Sequence, residues 1–409
     1  MHRRMTLRPL AIALALLVLS PLVVAQYGLS NPLIGLKTAP PITKSDIRII
    51  DSILGLDESQ RSLTGALYDD FFERYRVEAD ALEAELTAMI DESIVRQDSS
   101  ITRAAEDKAE QWDQRRLEWR AEFLTDLKLL LDQQQVELWP KVERELRRHD
   151  LIGRGRLAGE RVDLIRLVDA HVADWDSNTA LVEALDRYAD QLDRALRARQ
   201  RALDDEQTDE FWRTCQDEPY RAKEIYEEVL PTRVRVRDIN LETLRAIVKL
   251  LSADDAVAVE RAFYTEALRS HSPISPIETR IRAASSLPSL SPEQREQIAT
   301  ILQDYEPRRH RTIVGFFDAV AEMEAELLPD TIANKIAQIE HDASGADPRA
   351  FRISDRVPQE VNDALASRLE TDLAVWQRVS ALLTPDQRTN LPRPNEEIIW
   401  FREYLEHEL

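Results

Sequence analysis

The chain has 409 residues, with 75 Asp and Glu against 54 Lys and Arg and a formal net charge of −21, a length that suits two or three domains with ample core. Only 9 residues are Gly, which argues against barrels, sandwiches and Gly-rich nucleotide cradles, and the acidic balance argues against nucleic acid as a partner. Charged residues at 32%, with aliphatics at three- and four-residue intervals, predict an all-α chain of long amphipathic helices.

Arg3, Arg4 and Arg8 precede an apolar run from Leu10 to Leu19, then Ser20-Pro21 and the small residues around Ala25. This predicts a signal peptide over residues 1–25, too short in its apolar core for the ~20 residues of a bilayer span. The expected product is an exported, periplasmic protein with no stable membrane span after cleavage and a net charge of roughly −24 once the three Arg are removed. Residues 26–43, with Gly28, Pro32, Pro40 and Pro41, read as an extended arm.

Thr43 and Asp46 form a capping pair that opens the first helix. After Leu56-Asp-Glu-Ser-Gln60 the apolar positions Leu63, Leu67, Phe71 and Tyr75 predict a long helix continuing to Ile90. A turn near Asp98-Ser99-Ser100 reverses the chain into a return helix carrying Trp112, Trp119 and Phe123, which ends at Leu131-Asp-Gln-Gln-Gln135; the next segment is expected to break at Trp139-Pro140. Related helix starts recur at Leu251-Ser-Ala-Asp-Asp255, Leu290-Ser-Pro-Glu-Gln294 and Leu383-Thr-Pro-Asp-Gln387. In the last two, Ser291 or Thr384 serves as N-cap, Pro follows at the first helical position, and Gln294 or Gln387 closes a capping box.

The spacing of these motifs predicts three tandem copies of one long helical hairpin, over residues 44–150, 151–270 and 271–409. Leu56 and Leu290 lie 234 residues apart, twice 117, and a blurred middle start falls at Asp174-Trp-Asp-Ser177. The closing motifs are 120 and 132 residues apart, each preceded by an apolar stripe: Leu124, Leu127, Leu130, then Leu244, Ile247, Leu250, then Trp376, Val379, Leu382. A polar insertion is expected from Ser344 to Pro358, and extended connections at Pro231–Arg237 and His271–Pro276. Only Val136 could staple the Leu before its cap, so these Leu are expected to bury against the opposite end of the same hairpin, bringing opening and closing motifs together.

Leu290-Ser-Pro-Glu-Gln294 and Leu383-Thr-Pro-Asp-Gln387 closely, and the stretches headed by Leu56, Leu131 and Leu251 more loosely, resemble Leu-Thr-x-x-Gln, which occurs twice about 75 residues apart, as Leu56 and Leu131 are spaced, in the Spy/CpxP family of periplasmic envelope-stress proteins. The resemblance implies an all-α, curved hairpin fold and an ATP-independent chaperone or stress-adaptor role, with unfolded clients or envelope proteins as partners. Members of that family are small dimers with a partly basic concave face, whereas this chain is long and acidic. No cofactor or metal is expected, since His149, His171, His271, His310, His341 and His407 are scattered, and no nucleophile motif marks an enzyme. Glu322, Glu324 and Glu326 fall on different helix faces. The basic clusters Arg147–His149 and Arg308–Arg311 read as solvated faces, and Cys215 as a half-buried small hydrophobe. Candidate protein-contact residues are Phe71, Phe72, Trp112, Trp119, Tyr305, Phe316 and Phe317, each with core packing as the competing role. A passive scaffold of the cell envelope is the alternative function.

Overall fold

A computed structural model describes residues 40–96, 98–203, 215, 218–269, 275–326, 328–344 and 358–391; the expected signal peptide, most of the arm and most of the 344–358 insertion lie outside them. Among the described residues there are thirteen α-helices and no strand. None of these helices is long and apolar enough to cross a membrane. The chain divides into two compact units, Met1–Leu146 and Arg147–Leu409, so the second and third expected copies fall within one unit.

In unit 1, α1 (Lys44–Leu54) opens with a closed Thr43/Asp46 capping box and ends at Gly55, whose φ of 58° supplies the left-handed residue that a helix end favours. Next come α2 (Glu58–Arg96) and α3 (Ser99–Lys128), which pack side by side as a hairpin, and then α4 (Gln133–Ile152), of which the residues up to Leu146 belong to this unit. Along α2 the buried residues Thr64, Tyr68, Phe71, Tyr75, Ala79, Leu82 and Leu86 are spaced three or four apart, so one stripe faces α3. Asp98 caps α3 by accepting the Ser100 N–H at 2.9 Å, which fixes the reversal.

Unit 2 contains α5 (Leu164–His171), α6 (Thr179–Leu203), α7 (Pro219–Ile247), α8 (Ala253–Ala267), α9 (Pro276–Ser285), α10 (Pro292–Glu326), α11 (Asp330–Ala343), α12 (Gln359–Leu382) and α13 (Pro385–Thr389). Here α6 packs on α7 and α10 on α12. One core joins Leu181, Tyr188 and Leu192 of α6, Val236 and Ile247 of α7 and Phe263 of α8 to Phe317 and Val320 of α10. That shared core explains why the second and third copies do not separate. Cys215 is buried in a smaller cluster with Ala222, Tyr226 and Ile332.

Two expected breaks are absent. Trp139-Pro140 lies inside α4, and Pro231–Arg237, expected to be extended, lies inside α7. Pro140, Pro231 and also Pro307 of α10 are exposed, as are Val136, Glu227 and Gln303 one turn earlier. On these exposed faces water can reach the carbonyl that each Pro deprives of a donor, which lowers the hydrogen-bond part of the penalty for a mid-helix Pro.

Three positions recur in register across the helix pairs. Leu127, Ile247 and Val379, each four residues before its closing Leu, are fully buried. Arg120, Asn240 and Asp372 each lie eleven residues before Leu131, Leu251 and Leu383, and each holds the segment leading into its short helix. Arg120 Nη1 donates to the Pro41 carbonyl at 2.7 Å, Asn240 Nδ2 to the Gly159 carbonyl at 2.7 Å, and Asp372 accepts from Ser275 Oγ. The third recurring place faces this one: Tyr188 bonds Asn240 at 2.9 Å and Tyr305 bonds Asp372 at 2.6 Å, while Phe71 occupies it in unit 1.

Candidate functional site

Two of the hairpin bases are clasped by the motif residues. Gln60 Oε1 accepts the N-cap N–H of Asp57 at 3.0 Å while Asp57 accepts the Gln60 N–H at 2.8 Å, a closed capping box. Gln135 closes the same box with Asp132 at 3.0 and 2.9 Å. The two side-chain amides then pair with each other, at 2.7 and 2.9 Å, and each spare N–H reaches a carbonyl just before the other motif, Gln60 that of Leu130 at 2.9 Å and Gln135 that of Leu54, the last residue of α1, at 3.3 Å. Each amide thus makes all four of the hydrogen bonds it can make. Leu56 is buried and Leu131 half-buried beside the clasp.

Gln294 and Gln387 repeat the arrangement in unit 2. Their boxes with Ser291 and Thr384 are closed, their amides pair at 3.1 and 3.2 Å, and they reach the Leu382 and Ser289 carbonyls at 2.6 and 2.8 Å. Leu290 and Leu383 are buried against this base. The α6–α7 pair has a reduced version. Asn178 caps α6 through the Leu181 N–H and donates to the Leu250 carbonyl at 3.1 Å, the place equivalent to Leu130 and Leu382. Across from it Asp255 caps with Ser252 below a half-buried Leu251, but a carboxylate has no N–H with which to pair.

Above the first clasp, the seam between α2 and α3 is filled by aromatic rings. Phe71 lies 5.2 Å from Phe123, Tyr75 lies 5.5 Å from Trp119 and 5.6 Å from Trp112, and the two Trp meet edge-on at 5.9 Å. Phe72 is 37% exposed and stacks on Tyr68. The rings within the seam are almost fully buried, Phe71, Trp119 and Phe123 being 4%, 7% and 2% exposed. One flank forms a groove of two adjoining cavities, about 420 and 350 Å³. The first is lined by Leu67, Phe71, Trp119 and Phe123; the second extends it to Val77, which is 59% exposed.

The contact candidates therefore separate. Phe71 and Trp119 lie beneath the groove at 4% and 7% exposure, Phe72 is exposed without lining it, and Trp112 belongs to the seam. Tyr305, Phe316 and Phe317 are 1%, 4% and 0% exposed in the core of unit 2 and offer no contact surface, a correction to their candidacy. In unit 2 the helices bury their stripes in one another, as an aromatic on an amphipathic face usually does.

Sequence reasoning also missed two buried charge clusters. The loop before α5 is packed inside unit 2, with Gly159 at φ 79° and its Cα so close to the Phe317 ring that an added Cβ would lie 3.2 Å away. Its polar backbone is satisfied by side chains: Glu160 accepts the Arg156 and Leu157 N–H groups at 2.7 and 3.0 Å and pairs with buried Arg199 at 2.6 Å and Arg233 at 3.4 Å. In the second cluster Glu278 pairs with Arg282 and with buried Arg309, each at 2.7 Å, near Tyr305, Arg368 and Asp372. Burial pushes the Asp372 carboxyl up and the Arg368 guanidinium down. The basic runs read as solvated thus include structural ion pairs: Arg309, and also Arg147 with Asp193 at 2.7 Å and Arg148 with Asp163 at 3.0 Å.

Glu324 ties α10 to the same loop by accepting the Ala158 N–H at 2.7 Å. Burial pushes its carboxyl up to about 7, with Glu160 adding to the shift and the Ala158 N–H and Arg237 opposing it. The folded value exceeds the unfolded one, so the unfolded chain releases this proton first. Stability from this group is therefore expected to be greatest below about pH 4.5 and to decline until about pH 7, by about 2 kcal/mol after allowing for partial solvent screening. Glu324→Gln keeps an acceptor for Ala158 and should flatten that part of the profile; denaturant midpoints measured between pH 4 and 8 check this.

Compared with known proteins, the chain matches no family model, no curated protein and no solved structure.

Proposed function

We propose that this chain is an exported, periplasmic helical-repeat protein that binds other proteins, as an ATP-independent chaperone or envelope-stress adaptor. The observation that carries the reading is the groove on the α2–α3 flank, where exposed Val77 and half-buried Leu67 lie over the almost fully buried rings of Phe71, Trp119 and Phe123. Open apolar clefts of this kind are where polypeptide segments dock. The Gln clasps in register and the repeated latch at Arg120, Asn240 and Asp372 support descent of the three helix pairs from one unit, and the motif's resemblance to the Spy/CpxP signature supports the class of function.

A scaffold role is favoured by one observation confined to unit 2, whose apolar stripes are spent on its own core. An aggregation assay separates the two readings. The purified chain should slow aggregation of an unfolding client at near-stoichiometric amounts without nucleotide, and Val77→Ser should weaken that protection. Absence of protection for any client would leave the scaffold.

A further inference from the structure

Resting on the reading of this groove as a polypeptide site, we infer that it selects segments in which Lys or Arg alternate with apolar residues. The charges around the groove are not balanced where a ligand would meet them. Its two cations are already held by their own helices: Arg74 pairs with Asp70 at 3.2 Å, and Arg115 pairs with Glu118 at 3.1 Å while lying over the Trp119 ring at 5.3 Å. Glu73 is likewise paired, with Arg76 at 2.8 Å. Glu78, Glu122 and Asp126 also line the groove, are exposed, and make no ion pair among the described residues.

A segment lying there meets Leu67 and exposed Val77 above the buried rings, and three carboxylates that no cation holds in an ion pair among the described residues. Around them the two helices carry seventeen Asp and Glu against ten Lys and Arg, so the surrounding field has the same sign. Glu122 and Asp126 are one turn apart on α3, a rise of ~6 Å, close to the separation of alternate residues in an extended peptide, ~6.6 Å. The lined stretch of α2, from Leu67 to Glu78, extends ~16 Å and seats about five extended residues. Exposed carboxylates contribute little each, so the floor holds the segment while the rim decides which segments enter and how fast.

Three labelled twelve-residue peptides test this by fluorescence anisotropy against the whole chain: alternating Leu and Lys, alternating Leu and Glu, and alternating Ser and Lys. The Leu/Lys peptide should bind at least about tenfold more tightly than either of the others. Its affinity should fall about tenfold in Glu78→Gln/Glu122→Gln/Asp126→Asn, as three exposed pairs together would give. These are surface changes, and circular dichroism confirms that the variant is folded. Equal binding of Leu/Lys and Leu/Glu peptides, or no loss in the triple variant, overturns charge selection while leaving the groove as a polypeptide site. Equal binding of Ser/Lys and Leu/Lys peptides overturns it in favour of adsorption to an acidic surface. No binding of any peptide overturns both this inference and the reading on which it rests.

Discussion

Glu160→Ala is expected to cost unit 2 about 3–5 kcal/mol, because it takes from buried Arg199 and Arg233 the carboxylate they share and removes the acceptor of two loop N–H groups. Both guanidinium groups are about 1% exposed, so water does not substitute for the lost carboxylate. For a unit of this size such a loss lowers the melting temperature by roughly 10 °C. Glu160→Gln should lose less, since it keeps an acceptor for the loop. Replacing both Arg with Met in the Glu160→Gln background should recover much of the loss, since removing all charge is cheaper than stranding one partner. Thermal unfolding of the variants measures the series. Equal stability of wild type and Glu160→Ala would mean that the loop is not packed as described.

The second large effect concerns the clasps. If Gln60 and Gln294 act only as helix caps, Gln→Glu should be harmless or slightly stabilising, since Glu closes a capping box equally well and suits a helix N-terminus. The geometry predicts the opposite. Glu has no N–H to give the Leu130 or Leu382 carbonyl, and it sets a carboxylate against the partner amide's oxygen when that amide keeps its place. Gln60→Glu should therefore destabilise unit 1 by about 1–3 kcal/mol, the cost of leaving polar groups at a half-buried base without partners. A double-mutant cycle of Gln60 and Gln135 should show coupling of about 0.5–3 kcal/mol, whereas independent caps would add.

What the sequence disclosed follows from the range of the interactions. The caps were legible because donor and acceptor lie three residues apart, and the hairpins because α2 and α3 bury residues at helical spacing. The clasp was half-legible: Leu residues without a staple partner implied that the two ends of a hairpin meet, but the pairing of the amides across 75 residues has no local sign. Arg233, Arg309 and Arg368 were hidden because an Arg in a charge-rich helix looks solvated until its acidic partner, distant in sequence, is placed beside it. Pro140 and Pro231 misled for a different reason. Whether Pro breaks a helix depends on which side the orphaned carbonyl faces, and that is a tertiary property. The contact candidates in α10 failed on the same ground: Phe316 and Phe317 have the aromatic character of a binding face but meet the α6–α8 core.

The central claim, that the α2–α3 groove is where this protein holds other polypeptides, is tested most directly by side-chain footprinting. Hydroxyl-radical labelling of Leu67 and Val77 should fall when an unfolding client is added, while Val257 of unit 2, exposed to a similar degree as Val77, keeps its labelling. Unchanged labelling of both groove residues while the client is bound would contradict the claim.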